Sequence, residues 1–378
     1  MKNVIVIIGY NRPASIRRCY EAVNKAMYPS EDQVDLIFSL DHSDLQDSIV
    51  SMINTLEWTH GQKKVIAHDE RQGLRKHVIS CGTLVKDYDC LVMLEDDIVV
   101  SNSFYLYARQ AALTYDRYPQ VVGISLYRHA LYPQNGRLFT PEYNGSDVFF
   151  MQAAQSWGQA WTKRMWDGFY AWYQANQTFQ QTLAMPDYAY SWDQRSWLRY
   201  FMGYVCSDDF CLVYPYHSLS TNTEEAGENR KTRDTDYSVD LINSQKEFRM
   251  PAPEKCVHYD SHYERKKDAF FSCFYDNQPV LIDLNGSYSR YGDYRYVVST
   301  NILDYHVVES YGLELRPQEI NLREKTAGND IFLYDLSKPE NNQERKKVNP
   351  ALVRYDVRAV SWKRLIYLGF HEWRNGGK

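Results

Sequence analysis

The chain has no apolar run approaching the roughly 18–20 residues that a membrane-spanning helix needs. It has no Cys-x-x-Cys spacing. Its seven cysteines (Cys19, Cys81, Cys90, Cys206, Cys211, Cys256 and Cys273) are scattered and odd in number, which argues against a disulfide framework and against a zinc site. A reducing cytoplasm is the simplest setting for such a chain. Basic residues are not in excess: 43 Lys and Arg stand against 48 Asp and Glu, a net charge of −5, so no overall field marks a nucleic-acid binder. Val4–Ile8 follows a single Lys2 and lacks a small-residue cleavage site, so it reads as a buried strand and not as a signal peptide. No internal repeat and no low-complexity tract interrupts the sequence.

What is present is a chain of 378 residues, enough for one large domain or two ordinary ones. Hydrophobic residues make up 44% and charged residues 24%, the balance of a globular protein with a packed core. Aromatics reach 15%, with 32 Tyr and 9 Trp, which supplies many faces for stacking on flat or sugar-like partners. Charge is uneven: Arg345 to Lys378 carries +7, leaving −12 on the rest.

The first hundred residues alternate between strand and helix. Val4–Ile8 ends at Gly9 and the turn around Asn11-Arg12-Pro13, and Pro13 suits the first turn of a helix running to about Met27. Val34–Leu40 reads as the second strand. Asp44 can cap a helix in which Leu45, Ile49, Met52 and Leu56 recur at helical spacing. Lys64–Ala67 is a third strand, a helical repeat (Leu74, Val78, Cys81, Val85) follows Gly73, and Cys90–Leu94 is a fourth buried strand. This order predicts an α/β fold with a doubly wound, mainly parallel sheet, whose ligand sites lie at the carboxyl ends of the strands. Residues 101–118 read as a further helix, 120–220 as an irregular Trp- and Tyr-rich region of loops and short strands, and Thr221–Asp236 as a polar loop. Val280–Leu284, Tyr296–Ser299 and Ile331–Leu336 are strand-like pieces of an additional C-terminal α+β region. The expected domains are 1–235, with a nucleotide-binding half at 1–100 and an acceptor half at 101–235, and a C-terminal region at 236–378.

The strongest local signal is Glu95-Asp96-Asp97 at the end of the fourth strand. Three consecutive carboxylates repel one another unless a cation relieves them, and hard oxygen ligands suit Mg²⁺ or Mn²⁺ bridged to a diphosphate. The plainer reading is an acidic turn that caps the following helix. Asp41 ends the second strand, where a carboxylate can accept from the N–H donors of a nucleobase or cap a turn. Arg12 can bind phosphate or fix its loop by an ion pair.

Ile7-Ile8-Gly9-Tyr10-Asn11-Arg12-Pro13 with Arg17-Arg18-Cys19, then Ser39-Leu40-Asp41, then Leu94-Glu95-Asp96-Asp97, resembles the inverting glycosyltransferases of the A-type fold. The likeness is to N-acetylglucosaminyltransferase I and its bacterial family 2-like relatives, and it spans about residues 3–220. It implies that Asp97 ligates the metal, that Glu95 and Asp96 contact the donor, that Asp41 holds uracil and that Arg12 lies near the nucleotide. His77 falls where the family has a nucleotide-contacting histidine; the alternative is a histidine on a helix surface. Gln155-Ser156-Trp157-Gly158 resembles the family's aromatic–glycine segment beside donor sugar and acceptor, so Trp157 and Gly158 become sugar contacts. Ser191-Trp192-Asp193 resembles its Trp-Asp motif, with Trp192 against the sugar and Asp193 as catalytic base. An attacking hydroxyl must lose its proton, and a carboxylate within reach takes it; the plainer reading is a helix cap beside a packed Trp. Asp208 and Asp209 are rival bases in a setting that reads as a strand end.

The resemblance implies a metal-dependent transfer, with Mn²⁺ or Mg²⁺, from a UDP-linked sugar such as UDP-GlcNAc to a hydroxyl of a glycan or lipid-linked glycan. The setting it suggests is bacterial polysaccharide assembly in the cytoplasm or at the inner membrane face. Thr221–Lys231 departs from the family in lacking a histidine, leaving Arg230 or Lys231 to cover the phosphates. Trp362, Leu365, Ile366, Phe370 and Trp373 fall on one side of a helix ringed by Lys363, Arg364, His371 and Arg374, a pattern for an anionic membrane or for docking on its own domain. Two other functions share parts of this pattern. A sugar-phosphate nucleotidyltransferase calls for a glycine-rich basic loop after the first strand, where Gly9–Pro13 has one glycine. A non-catalytic glycan- or nucleotide-binding module would use the aromatics alone.

Overall fold

Each of the four apolar runs in the first hundred residues forms a strand of one nine-stranded sheet: β1 (Lys2–Gly9), β2 (Gln33–Leu40), β3 (Lys63–Ala67) and β4 (Cys90–Glu95). The computed structural model describes residues 1–223, 237–267, 273–342, 355–357, 361, 363, 365–367 and 369–370. Helices α1 (Pro13–Asn24), α2 (Gln46–Asn54) and α3 (Leu74–Gly82) connect these strands, and β3-β2-β1-β4 pair in parallel. Val4–Ile7 and Leu91–Leu94 are almost wholly buried. A strand covered on both faces reads as a continuous apolar run, which is why these four stand out in the sequence.

α1 starts at Pro13, whose fixed φ and missing N–H suit a first turn. It ends at Asn24, short of Met27, because the Met27 amide donates to the Asn102 carbonyl (2.9 Å) and is drawn out of the helix. Asp44 does not cap α2; Leu45 occupies that position with no side-chain bond.

The chain continues through β5 (Ile98–Val100), α4 (Phe104–Tyr115), β6 (Val121–Ser125), β7 (Val148–Met151), β8 (Gln159–Thr162), α5 (Lys163–Ala175), α6 (Asp187–Tyr190), α7 (Trp197–Val205), β9 (Cys211–Pro215), β10 (Ser220–Asn222) and β11 (His258–Tyr259). The full order is β11-β7-β9-β6-β8-β4-β1-β2-β3, while β5 and β10 form a separate ribbon. The region expected to be irregular combines short strands and helices with long loops at 126–147 and 176–186. Its strands β6 to β9 are four or five residues long and buried throughout, so no alternation betrays them. β8 runs antiparallel between β4 and β6, so β6 is parallel to β4 and their carboxyl ends share one edge.

The chain divides into two compact units: Met1–Gln134 with Pro141–Ser272 and Tyr288–Arg290, and Asn135–Thr140 with Cys273–Ser287 and Tyr291–Lys378. The first contains the nine-stranded sheet. Within it, β11 pairs with β7 at the sheet edge. The second contains a five-stranded sheet, β12 (Phe274–Tyr275), β13 (Gln278–Asp283), β14 (Tyr296–Ser299), β15 (Tyr305–Tyr311) and β16 (Ile331–Pro339), in the order β12-β13-β14-β16-β15, with the short helix α8 (Ile320–Arg323). There Asp283 is fully buried and accepts from Ser287 N (2.7 Å) and Ser299 Oγ (3.1 Å). Among the described residues no helix is long and apolar enough to cross a membrane. Ile366 and Phe370 of the expected C-terminal amphipathic helix are exposed, while Trp362, Arg364, His371, Trp373 and Arg374 lie outside the described residues.

Candidate functional site

The strand order of the large sheet reverses between β1 and β4: β2 and β3 continue to one side and β8 and β6 to the other. A crevice opens at such a reversal, outside the carboxyl ends of the strands. Arg12 stands after β1 and Glu95-Asp96-Asp97 after β4, so the two groups face each other across it. The Arg12 guanidinium donates from Nε to Asp96 Oδ2 (3.2 Å), from Nη2 to Asp97 Oδ2 (3.2 Å), and from Nη2 to Asp96 Oδ1. The cation that relieves the acidic triplet is therefore a side chain of the protein itself. Burial works against the Arg12 charge, but Asp96 and Asp97 outweigh it and hold the guanidinium protonated. Glu95 receives less help: burial, then the charges of Asp97 and Asp96, push its carboxyl up.

The backbone at Asp97 is pinned. Its carbonyl accepts from Thr223 N (2.9 Å) and Thr223 Oγ1 (3.0 Å), and Arg18 Nη2 donates to that hydroxyl (2.9 Å). The ribbon of β5 with β10 sets this register, with Ile98 opposite Asn222. Among the described residues no three His, Cys, Asp or Glu side chains gather into a metal cage. The donor set fits a hard divalent ion held by one carboxylate, with substrate phosphates and water completing the shell, and not a resident all-protein site.

Asp41, at the end of β2, is buried and already engaged. Oδ1 accepts from His42 N (2.9 Å) and Gln72 N (2.7 Å); Oδ2 accepts from Gly73 N (3.0 Å) and Arg71 Nε (3.0 Å). The carboxylate thus closes the loop between β3 and α3, and Gly73, at φ +73°, permits the turn into the helix. Arg71 lies over the Tyr10 ring, 3.5 Å from its centroid. His77 is buried under this loop instead of on a helix surface, with Nε2 2.7 Å from Ser39 Oγ and its ring beside His68. Burial, and then the His68 and Arg71 charges, lower its pKa to about 4 against the pull of Asp41, so it is neutral.

Trp157 and Gly158 lie at the same edge, just before β8. Gly158 has φ +95°, and a Cβ there would sit 3.0 Å from Ser220 Oγ, a hydroxyl that donates to the Trp157 carbonyl. Trp157 stacks on Tyr237 (4.7 Å between centroids) and packs against Tyr127 (4.8 Å) and His129 (5.8 Å). From His129 the rings run on through Tyr263, Tyr132 and Tyr188 to Trp192, each 4.9–6.0 Å from the next. The two aromatic motifs, 35 residues apart in sequence, are therefore ends of one wall. The abundance of Tyr was the only sequence signal for its middle members.

Asp193 follows Trp192 in the turn between α6 and α7 and is exposed. Arg195 N donates to its Oδ1 (2.7 Å) and the Arg195 guanidinium grips both oxygens, holding the carboxyl down at about 2. The turn is tied to α3 by Arg75 Nη1, which donates to the Gln194 carbonyl (2.9 Å) and to Tyr200 Oη (2.7 Å). Asp208 and Asp209 precede β9, which is parallel to β6, and so stand at the opposite edge of the sheet. Arg230 and Lys231, expected to cover the phosphates, lie outside the described residues.

No protein-family model matches this chain, and no curated protein matches it. Among solved structures it is similar to S. aureus TarS 1-349 in complex with UDP-GlcNAc, at 13% identity over 60% of each chain with a TM-score of 0.35. It is similar to GalNAc-T7 with UDP, GalNAc and Mn²⁺, at 14% identity over 58% of this chain and 43% of that one, TM-score 0.37. It is also similar to the mannosyltransferase PcManGT from Pyrobaculum calidifontis in complex with GDP-Man and Mn²⁺, at 16% identity over 42% and 44%, TM-score 0.30. The chain thus spans less than two thirds of the length of each of these proteins.

Proposed function

We propose that the chain is a metal-dependent glycosyltransferase of the A-type fold, inverting in mechanism, that moves a sugar from a nucleoside diphosphate, with UDP the expected carrier, to a hydroxyl of a glycan. The observation that carries this reading is the acidic triplet facing Arg12 across the reversal of strand order. In this reading the first unit performs the chemistry.

Asp97 would hold Mn²⁺ or Mg²⁺ together with the donor diphosphate. When bound, the ion supplies positive charge to the departing nucleoside diphosphate. Arg12, released in part from Asp96 and Asp97, offers a guanidinium fork to the phosphates. Asp96 and Glu95 line the donor side, and Glu95, carrying less charge than its neighbours, accepts or donates to a sugar hydroxyl. Asp41 acts on the nucleotide through the 71–73 loop that it closes, with Tyr10 and Arg71 as a stacking platform, and His77 braces that loop from beneath. Trp157 and Trp192 flank the acceptor along the aromatic wall. Asp193 would take the proton of the attacking hydroxyl once its grip on Arg195 loosens, since a carboxylate held near 2 is a poor base.

Calorimetry with UDP in the presence and absence of Mn²⁺ tests this. UDP binds with metal, and Asp97→Ala lowers that affinity by an order of magnitude or more (about 1.4 kcal/mol per tenfold change). Metal-independent UDP affinity that Asp97→Ala leaves untouched would sink the reading.

A further inference from the structure

The carboxyl end of β6 carries an arginine that the donor chemistry does not use. Arg128 follows Leu126 and Tyr127 on the edge that holds the acidic triplet, and its amide is fixed by the Ser218 hydroxyl (2.7 Å). Its side chain is half-buried, its Nε is buried without an acceptor, and it forms no ion pair among the described residues. Asp240 and the hydroxyls of Tyr216 and Tyr127 act on it electrostatically, yet burial outweighs them and disfavours its charge. Beside it, His129 is 4% exposed and its Nε2 also has no partner among the described residues. Burial and the Arg128 charge keep that imidazole neutral. A buried polar group with no partner is costly, and two adjacent ones at the ligand edge of a sheet call for an explanation.

The order of the strands supplies one. Along this edge stand the carboxylates of β4, then Trp157 at the start of β8, then Arg128 at the end of β6. Two strand spacings separate the first from the last, about 10 Å. That offset is near the length of one or two sugar rings laid beside a diphosphate held at Asp97. Trp157, half-buried and stacked on Tyr237, lies between as a platform for such a ring.

We propose that Arg128 is an anion-binding subsite for the acceptor, taking a carboxylate or a phosphate ester carried by an acidic glycan whose sugar ring rests on Trp157. This rests on the glycosyltransferase reading for the word acceptor, but the anion site itself does not need it. Arg128 binds and orients; no proton or electron moves through it.

The test is calorimetry on the full chain with three ligands: a disaccharide ending in a uronic acid, its neutral hexose counterpart, and the neutral disaccharide bearing a phosphate monoester. The wild type binds one or both anionic sugars about tenfold or more tightly than the neutral one at low salt, and the margin narrows as salt is raised. Whichever anionic sugar binds identifies carboxylate or phosphate as the source of the charge. Arg128→Gln brings the ratio close to one, Arg128→Lys retains part of it, and both variants keep the wild-type melting temperature and UDP affinity. Equal binding of neutral and acidic sugars by the wild type overturns the proposal, as does a preference that survives in Arg128→Gln. Loss of UDP affinity in a folded Arg128→Gln also overturns it, because the arginine then serves the donor. If UDP fails to bind the wild type with metal while the acidic preference tracks Arg128, the glycosyltransferase reading falls and the anion site stands.

Discussion

Replacing Asp41 by Asn changes one atom and tests what holds the loop between β3 and α3. The carboxylate accepts four hydrogen bonds, two on each oxygen. With the Asn oxygen kept toward His42 N and Gln72 N, its amide nitrogen faces Gly73 N–H and Arg71 Nε–H, donor against donor. The opposite rotamer sets it against the other two amides. Either way two acceptor bonds at a buried position are lost, and each donor left without an acceptor costs about 1–3 kcal/mol. The sum is on the order of 2–6 kcal/mol. For a unit of this size each kcal/mol lowers the melting temperature by roughly 2 °C, so a fall of about 4–12 °C is expected if the whole unit feels the loss. If only the loop opens, amide exchange at Gln72 and Gly73 accelerates by more than tenfold while the melting temperature holds. Thermal denaturation and hydrogen exchange followed by mass spectrometry distinguish the two. Asp41→Asn with both the melting temperature and the exchange of the 71–73 amides unchanged would refute the role assigned to this carboxylate, whatever became of nucleotide affinity.

Gly82→Ala should destabilise the protein by at least 1–3 kcal/mol, because the new Cβ would lie 2.0 Å from the buried Trp166 ring; an unshifted denaturation midpoint would contradict that packing. His77 has a folded pKa of about 4 against an ordinary value of 6.5. Between these values the unfolded chain takes up a proton that the folded chain refuses, so this contribution is fully present above about pH 6.5 and is lost as pH falls toward 4, by on the order of 3 kcal/mol. His77→Gln flattens that part of the stability–pH curve, and an unaltered curve argues that the imidazole is not neutral where it lies. Asp193→Asn should leave UDP affinity within about twofold and cut sugar transfer by roughly 10²–10⁴. Unchanged turnover leaves Asp193 only its turn with Arg195.

The first hundred residues show how far local pattern reaches. Val4–Ile8, Val34–Leu40 and Cys90–Leu94 are apolar runs bounded by turn residues, and their pairing as a parallel sheet follows from the helices between them. The position of Arg12, Asp41 and Glu95–Asp97 at one edge followed in turn. The second half of the same sheet was not legible: β6 to β9 are too short and too uniformly buried to show a period, and antiparallel β8 is inserted between β4 and β6 from sixty residues farther along the chain.

Sequence alone determined the four strands and connecting helices of the sheet's first half and the kinds of side chain delivered to their ends, because both depend on neighbours within a few turns of chain. Tertiary structure alone decided what those side chains do to one another. It gave the acidic triplet an arginine for a counter-ion, spent the Asp41 carboxylate on backbone amides, and joined Trp157 to Trp192 through rings scattered from Tyr132 to Tyr263. Such contacts are fixed by how distant segments pack, and no local spacing encodes them.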